Sequence, residues 1–376
     1  MHYTIVGPTH PYKGGVAQHT TTLAHRLAEA GCDVDLVSWS AQYPSALYPG
    51  VQRVSTPEVP EFPGARYPLA WYRPDSWWRL GRSLRARKNA TLLLVLVSPI
   101  QIPAYLGILA GMRWGRRKRD LPRVGVIGHN VVAHEPRPGD RMLTRALLRR
   151  SDFVVAHSEQ EGSLARSFGV RDVRTTELPP HGPGATAAAI QNRGGAGLLF
   201  FGFIRPYKGV DVLLRAVAEV PGVRLLVAGE SWNGEDSLRS LVKELGIADR
   251  VDLRLSYLPA EELEDLLRDA DAMVIPYTSG TGTQMVRVAQ AHGVPVIATR
   301  ISTVPEQVDE GVDGFLVRPG DVQDLASAIR RLYEPGTLAA LRSAVRPPDL
   351  DLAWGQYVDV LTRGTESESS PRDAVS

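Results

Sequence analysis

Two turns in this sequence hold groups suited to grip a phosphate. Phe200-Phe201-Gly202-Phe203-Ile204-Arg205-Pro206-Tyr207-Lys208-Gly209 leaves an apolar run and opens a helical one. Arg205 and Lys208 therefore lie where two cations can converge on a diphosphate and balance the charge that grows as it departs. Ordinary surface-loop cations are the competing reading, which the position between strand and helix weakens. Ile275-Pro276-Tyr277-Thr278-Ser279-Gly280-Thr281-Gly282-Thr283, running into a helix at Gln284, gathers small residues and hydroxyls at a helix N-terminus, which makes an anion nest. Thr281 or Thr283 also reads as an N-cap, and the two roles are compatible.

Three other turns carry unusual residues. Gly7-Pro8-Thr9-His10-Pro11-Tyr12-Lys13-Gly14-Gly15 follows Val6 and precedes a helix. Gly14 and Gly15 let backbone N–H groups approach a phosphate or a sugar, or serve packing alone. The spacing departs from Gly-x-Gly-x-x-Gly, and Ser38-Trp39-Ser40 after Val37 supplies no acid for a ribose, so a dinucleotide fingerprint is absent. Gly128-His129-Asn130-Val131-Val132-Ala133-His134-Glu135 clusters two histidines and a glutamate after an apolar run, where His129 can donate a hydrogen bond or orient a hydroxyl. His292-Gly293-Val294-Pro295-Val296, Val304-Pro305-Glu306 and Gly311-Val312-Asp313-Gly314 read by themselves as a helix stop, a buried strand and a turn.

The elements that must position these turns alternate along the chain. Strands are expected at Tyr3 to Val6, Val34 to Val37, Thr91 to Val97, Arg123 to Ile127 and Phe153 to Ala156, with a helix at Val16 to Glu29. Asn192 to Gly197 is glycine-rich without apolar periodicity and reads as a linker. Beyond it strands are expected at Leu198 to Phe201, Val223 to Ala228, Val251 to Leu255, Ala272 to Ile275, Val294 to Ala298 and Gly314 to Val317. Helices separate them at Val210 to Glu219, Glu235 to Leu245, Ala260 to Ala270, Gln284 to His292 and Asp321 to Tyr333. The pattern predicts two α/β domains with parallel sheets, residues 1–190 and 198–346, joined by a linker at 191–197. An amphipathic stretch within 347–364 follows, and the polar tail 365–376 is expected to be disordered.

Composition narrows the classes. The 376 residues exceed one ordinary core, and 43 Lys and Arg against 41 Asp and Glu give a formal charge of +2, which calls for no nucleic acid as partner. Cys32 is the only cysteine, so no internal disulfide forms and a reducing, cytoplasmic setting is expected. No export signal is read in the first residues. Ala90 to Met112 is uncharged and long enough to imitate a membrane span, but Pro99, Gln101 and Pro103 interrupt it; a strand, a turn and a helix from about Pro103 fit better.

Taken in order, the five turns resemble the large retaining glycosyltransferase family of GT-B architecture that includes sucrose synthases, mannosyltransferases and many bacterial polysaccharide enzymes. The most specific parts are Arg205 with Lys208, the strand and turn Val227-Ala228-Gly229-Glu230, and the run from Gly293 to Gly314. The resemblance implies two Rossmann-like doubly wound domains facing across a cleft, with a C-terminal helix crossing back to the first. It implies a nucleotide diphosphate sugar as co-substrate, no other cofactor and no metal, with a glycan, lipid-linked or small-molecule acceptor. Arg205 and Lys208 would hold the diphosphate, Gly14 and Gly15 would face the donor phosphate and acceptor, and His129 would contact the transferred sugar. Tyr257 and Leu258 would wall the nucleobase, with Gly229 and the Gly280-Thr281-Gly282-Thr283 turn lining the donor.

The chain departs from that family at two positions. Glutamates eight apart are usual, one on the donor sugar and one on the ribose; counting back from Gly293 places them at Gly280 and Val288. Gln284, one turn before Val288, and Arg287 beside it are the candidates to reach the ribose or sugar instead. A nucleotide-sugar epimerase on the same architecture would need acid and base groups that the missing glutamates do not supply, and a non-catalytic nucleotide-sugar-binding protein is the other rival. Finally, Trp71 to Lys88 mixes Trp71, Trp77 and Trp78 with Arg73, Arg79, Arg82, Arg85, Arg87 and Lys88, and Arg113 to Arg119 adds Trp114 and more cations. An anionic membrane surface is therefore an expected partner, giving peripheral attachment; solvated helix faces with buried tryptophans are the competing reading.

Overall fold

A computed structural model describes residues 1–44, 52–54, 59–87, 89–129, 131, 138–180, 195–231, 235–256, 258, 260–280 and 283–363. The chain divides into two units, Met1–His181 with Leu350–Ser376, and Gly182–Asp349. Most of the expected linker and the tail lie outside the described residues.

The first unit runs β1 (His2–Val6), α1 (Gly15–Glu29), β2 (Asp33–Ala41), β3 (Arg66–Ala70), α2 (Pro74–Leu84), β4 (Ala90–Leu96), α3 (Ile102–Arg113), β5 (Arg123–Gly128), α4 (Asp140–Leu148), β6 (Phe153–Ala156), α5 (Glu159–Ser167) and β7 (Val173–Thr175). Among the described residues these strands form one parallel sheet in the order β3-β2-β1-β4-β5-β6-β7. Every residue of β4 is buried, as expected of a central parallel strand covered on both faces. Strand periodicity sorts the side chains onto those faces. Leu92, Leu94 and Leu96 point into a core shared with α3, while Tyr3, Ile5, Leu93 and Val95 point into a second core shared with Leu23 and Leu27 of α1.

That second core is completed from the far end of the chain. The last helix, α13 (Leu350–Thr362), contributes Trp354, Tyr357, Val358 and Leu361, and the indole N–H of Trp354 donates to Pro180 O at 3.3 Å. On the outer face α2 lies against α3 at close range, because a Cβ on Gly81 would come within 2.1 Å of Ile108 O and one on Gly111 within 2.6 Å of Trp78 O.

The second unit runs β8 (Leu198–Phe201), α6 (Val210–Ala218), β9 (Leu225–Ala228), α7 (Glu235–Glu244), β10 (Val251–Arg254), α8 (Ala260–Asp269), β11 (Ala272–Ile275), α9 (Met285–Ala291), β12 (Val296–Thr299), α10 (Val304–Gln307), β13 (Gly314–Val317), α11 (Val322–Leu332) and α12 (Thr337–Ala344). Its parallel sheet has the order β10-β9-β8-β11-β12-β13. Helix α11 shows how the sequence sets the packing: Asp321 caps it by accepting from Asp324 N at 2.9 Å, and Leu325, Ala328, Ile329 and Leu332 recur on one buried face.

Several boundaries differ from the periodicity. β9 begins at Leu225 rather than Val223 and β12 at Val296 rather than Val294, since Pro295 cannot donate to a sheet ladder. α9 begins at Met285, one residue after Gln284. The short strands β3 and β7 escape the sequence reading; β3 contains Pro68 and is an edge strand, where a missing donor is tolerated. The uncharged stretch from Ala90 divides into β4, a short 3-10 turn and α3, and among the described residues no helix is long and apolar enough to cross a membrane.

Candidate functional site

In an open parallel sheet the crevice for ligands opens where strand order reverses. In the second unit the chain adds β9 and β10 on one side of β8, then β11 to β13 on the other, so the reversal lies between β8 and β11. The turn after β8 carries Arg205 and Lys208, and the turn after β11 carries Tyr277 to Thr283. Backbone contacts lock them together: Thr278 N donates to Tyr207 O at 2.7 Å, and a Cβ on Gly209 would come within 2.1 Å of Pro276 O. The Lys208 ammonium lies 5.0 Å over the Tyr277 ring and against the Gly202 backbone. Gly229, after β9, abuts Gly202 O so closely that a side chain is excluded. Arg205, Lys208, Gly229 and the Tyr277 to Gly280 turn are thus gathered at one end of this sheet. Both cations are half-buried, which strengthens their pull on an anion relative to open solvent.

The positions of the absent glutamates have a physical account here. Gly280 has φ of 152°, a conformation that costs any side chain strain, although a Cβ there would meet nothing nearer than Ile301 Cδ1 at 3.7 Å. Val288 packs against the core. Gln284 sits at the start of α9, its carbonyl accepting from Val288 N at 2.9 Å. Thr283 is not the N-cap, but its hydroxyl accepts from Met285 N at 3.1 Å. Arg287 is tied to Gln290 Oε1 at 3.0 Å, and Gln290 belongs to a buried network with Gln307 O and Asp313. Leu258 is buried in the core, where its side chain does packing. Tyr257, Thr281 and Gly282 lie outside the described residues.

In the first unit the reversal lies between β1 and β4. Gly14, with φ of 107°, precedes α1, and it and Gly15 are exposed; the helix start has no side-chain cap and no acid in its first turn. His129 extends β5, its N–H donating to Leu96 O at 3.0 Å. Its ring meets His19 of α1 edge-on at 4.7 Å and His157, after β6, at 4.9 Å. His134 and Glu135 lie outside the described residues.

The sequence reading missed the groups behind His129. Ser158-Glu159-Gln160-Glu161 has the capping-box pattern, and Ser158 Oγ does accept from Glu161 N at 3.2 Å. The Glu161 carboxylate is also used elsewhere, accepting from Val131 N at 3.1 Å beside the His129 turn. Burial lifts its pKa to about 7, against the opposing hydrogen bonds from the Val131 and His157 backbones. Tyr357 and Trp354 read only as an apolar helical stripe. Among the described residues no group of three or more His, Cys, Asp and Glu side chains is arranged to hold a metal ion.

The two predicted basic and aromatic segments do meet, α2 against α3, with Trp78 and Trp114 rings 5.5 Å apart. Trp114 is 66% exposed and Tyr72 60%, and Trp71 is also exposed. Trp77 instead packs over Gly107 and donates to Ala70 O at 2.8 Å. Arg85 turns inward onto the last carbonyls of α3, at Gly111 O, rather than outward. Lys88 lies outside the described residues.

Comparison with known proteins gives a consistent assignment. A family model described as Glycosyltransferase Family 4 matches residues 13–180, and one described as Glycosyl transferases group 1 matches residues 195–335. The chain is 35% identical over 239 residues to a D-inositol 3-phosphate glycosyltransferase of Mycobacterium sp. (strain KMS); the match covers 60% of this chain and 51% of that protein, about half its length. It is 28% identical over 392 residues to the D-inositol 3-phosphate glycosyltransferase of Nocardiopsis dassonvillei, covering 96% of this chain and 91% of the relative. Anabaena HepE, solved in complex with UDP and glucose, shares the fold with a TM-score of 0.71 at 16% identity, covering 96% of this chain and 99% of that one. Two consecutive family models laid over two parallel α/β sheets place the chain in the GT-B glycosyltransferase family.

Proposed function

We propose that the chain moves a hexosyl group from a UDP- or GDP-linked sugar to a glycan, lipid-linked or small-molecule acceptor, with retention of configuration. The observation that carries this is the pair Arg205 and Lys208 on a turn locked to the turn after β11, at the reversal point of the second sheet. There they meet the diphosphate as the bond from the anomeric carbon to its oxygen breaks. The departing oxygen takes the proton of the acceptor hydroxyl on the same face, so no side-chain nucleophile is needed and the protein supplies position and charge. His129, Gly14 and Gly15 are assigned to the transferred sugar and the acceptor side, and Gln284 to the ribose. The two cations meet the diphosphate charge without a metal. UDP is the first donor to test, because the Anabaena relative was solved with UDP and glucose.

The reading is tested by measuring transfer, hydrolysis and binding in parallel across a panel of nucleotide sugars. Binding without turnover of any donor would favour the non-catalytic alternative, which the glycine and valine at positions 280 and 288 support. Binding of none would end both.

The lone Cys32 suits a cytoplasmic setting. The exposed Trp71, Tyr72 and Trp114 among Arg73, Arg79, Arg113 and Arg116 suit attachment to an anionic membrane, each cation near the lipid contributing about 1 kcal/mol. Co-sedimentation with anionic vesicles at low salt, lost near 1 M salt, is expected; equal partitioning to neutral vesicles, or none at all, refutes attachment of this kind.

A further inference from the structure

The polar groups of the first unit that lie behind His129 form a connected support. His157 Nε2 lies 3.0 Å from the Tyr357 hydroxyl, with the two rings stacked at 5.8 Å and 25°. His19 stacks on Trp354 at 5.3 Å and 28°, and Trp354 is itself fixed to Pro180 O. The two rings that touch His129 are therefore each backed by an aromatic residue of α13, which comes from the other end of the chain. From below, Glu161 holds the Val131 N–H, two residues past His129, and Val131 folds back onto β5 so that its Cγ2 would be 3.0 Å from a Cβ on Gly128.

Tyr357 is wholly buried. A phenylalanine would fill the same space without the cost of dehydrating a hydroxyl, so the hydroxyl's contribution is its bond to His157. That bond ties Nε2 of His157 to a fixed partner, as donor or acceptor according to the tautomer, and so holds the ring that lies against His129. Glu161 likewise takes a charge-bearing group out of water, and the return is a fixed turn rather than a packed core.

We propose that Tyr357 and Glu161 are positioning residues for His129: Tyr357 sets the orientation of its imidazole through His157, and Glu161 sets the turn that carries it. The proposal rests on the role given to His129 above. It makes α13 part of the chemistry as well as part of the core, because a helix with no assigned substrate contact determines how a sugar-contacting group points.

The test uses the full chain with ring nitrogens of histidine labelled with 15N, and His129 and His157 assigned from His129→Asn and His157→Asn spectra. Tyr357→Phe keeps the ring and its volume and should shift the ring signals of both His157 and His129. Glu161→Ala should shift His129, whereas Glu161→Gln, which still offers an oxygen to Val131, should restore the native spectrum. With the donor that the panel identifies, Tyr357→Phe should lower kcat about ten-fold while donor KM stays within about two-fold, the split of a contact misaligned rather than removed. His129 signals unmoved by both Tyr357→Phe and Glu161→Ala would overturn the proposal. If they move while His129→Ala leaves transfer intact, the support is real and the sugar-contact role of His129 is what fails.

Discussion

The two units share an architecture and differ in what surrounds it. Residues 1–181 and 350–376 carry 26 Lys and Arg against 19 Asp and Glu, whereas residues 182–349 carry 17 against 22, so a near-neutral chain is built from one basic and one acidic unit. The basic excess sits on α2, α3, α4 and their connections, on the outer face of the first sheet, while the proposed diphosphate site of the second unit has its two cations on a single turn after β8. Charge on the first unit is spread over a surface, and charge on the second is concentrated at a sheet end. A diffuse field suits a broad anionic partner and a focused pair suits a small anion.

The comparison can be broken most sharply at α13. Only the first unit recruits a helix from beyond the other, so Trp354→Ala should destabilise it by about 3 to 5 kcal/mol, the usual cost of truncating a buried aromatic. The second unit, whose core lies within 198–341, should unfold at its normal midpoint in the same sample, as read by hydrogen exchange resolved by segment. A uniform loss of protection in both units would contradict the division.

Arg205→Ala or Lys208→Ala should cost about 2 to 4 kcal/mol of transition-state stabilisation while leaving the melting of both units unchanged. Full turnover in both variants would remove the focused pair from the mechanism.

Glu161 sharpens the contrast through pH. Its folded pKa, near 7, lies above the ordinary 4.5, so between these values the folded chain holds a proton that the unfolded chain has released. Its stability contribution is therefore full below about 4.5, falls as pH rises, and is gone above about 7. Between about pH 5 and pH 8 the wild type should lose on the order of 2 to 3 kcal/mol more stability than Glu161→Gln, measured by denaturant titration. Parallel curves would show that the carboxyl is not dehydrated in the folded protein.

The smallest effect is expected at α9. Gln284→Ala should weaken UDP binding by about 1 kcal/mol, and Arg287→Ala by less, since its guanidinium is already engaged by Gln290. Wild-type affinity for both in calorimetry would mean that neither stands in for the missing glutamate at 288.

What could be read in advance follows from the range of the forces involved. Strand and helix periods are local, so β4, β8, α6 and α11 are visible in the sequence within a residue or two, and so is the turn bearing Arg205 and Lys208. The edge strands β3 and β7 are short and mixed in polarity, and their pairing is set by a neighbour rather than by their own pattern. The His129 support is invisible for a stronger reason: His19, His157, Glu161 and Tyr357 meet across as many as 338 positions, from His19 to Tyr357, and each has an ordinary local role that hides the shared one. Arg85 and Trp77 show the opposite error, since residues that look like part of a lipid-facing stripe turn inward once α2 has packed on α3.

The return of α13 also orders events in time. As the chain leaves the ribosome, residues 198–341 can close their own core as soon as they emerge, but one face of the first sheet, covered by α1 alone, stays partly open until residues 354–361 appear. Contacts spanning 200 residues and more are slow to form, so the first-made unit is the last to finish folding, and its open face is the surface a chaperone would meet during synthesis.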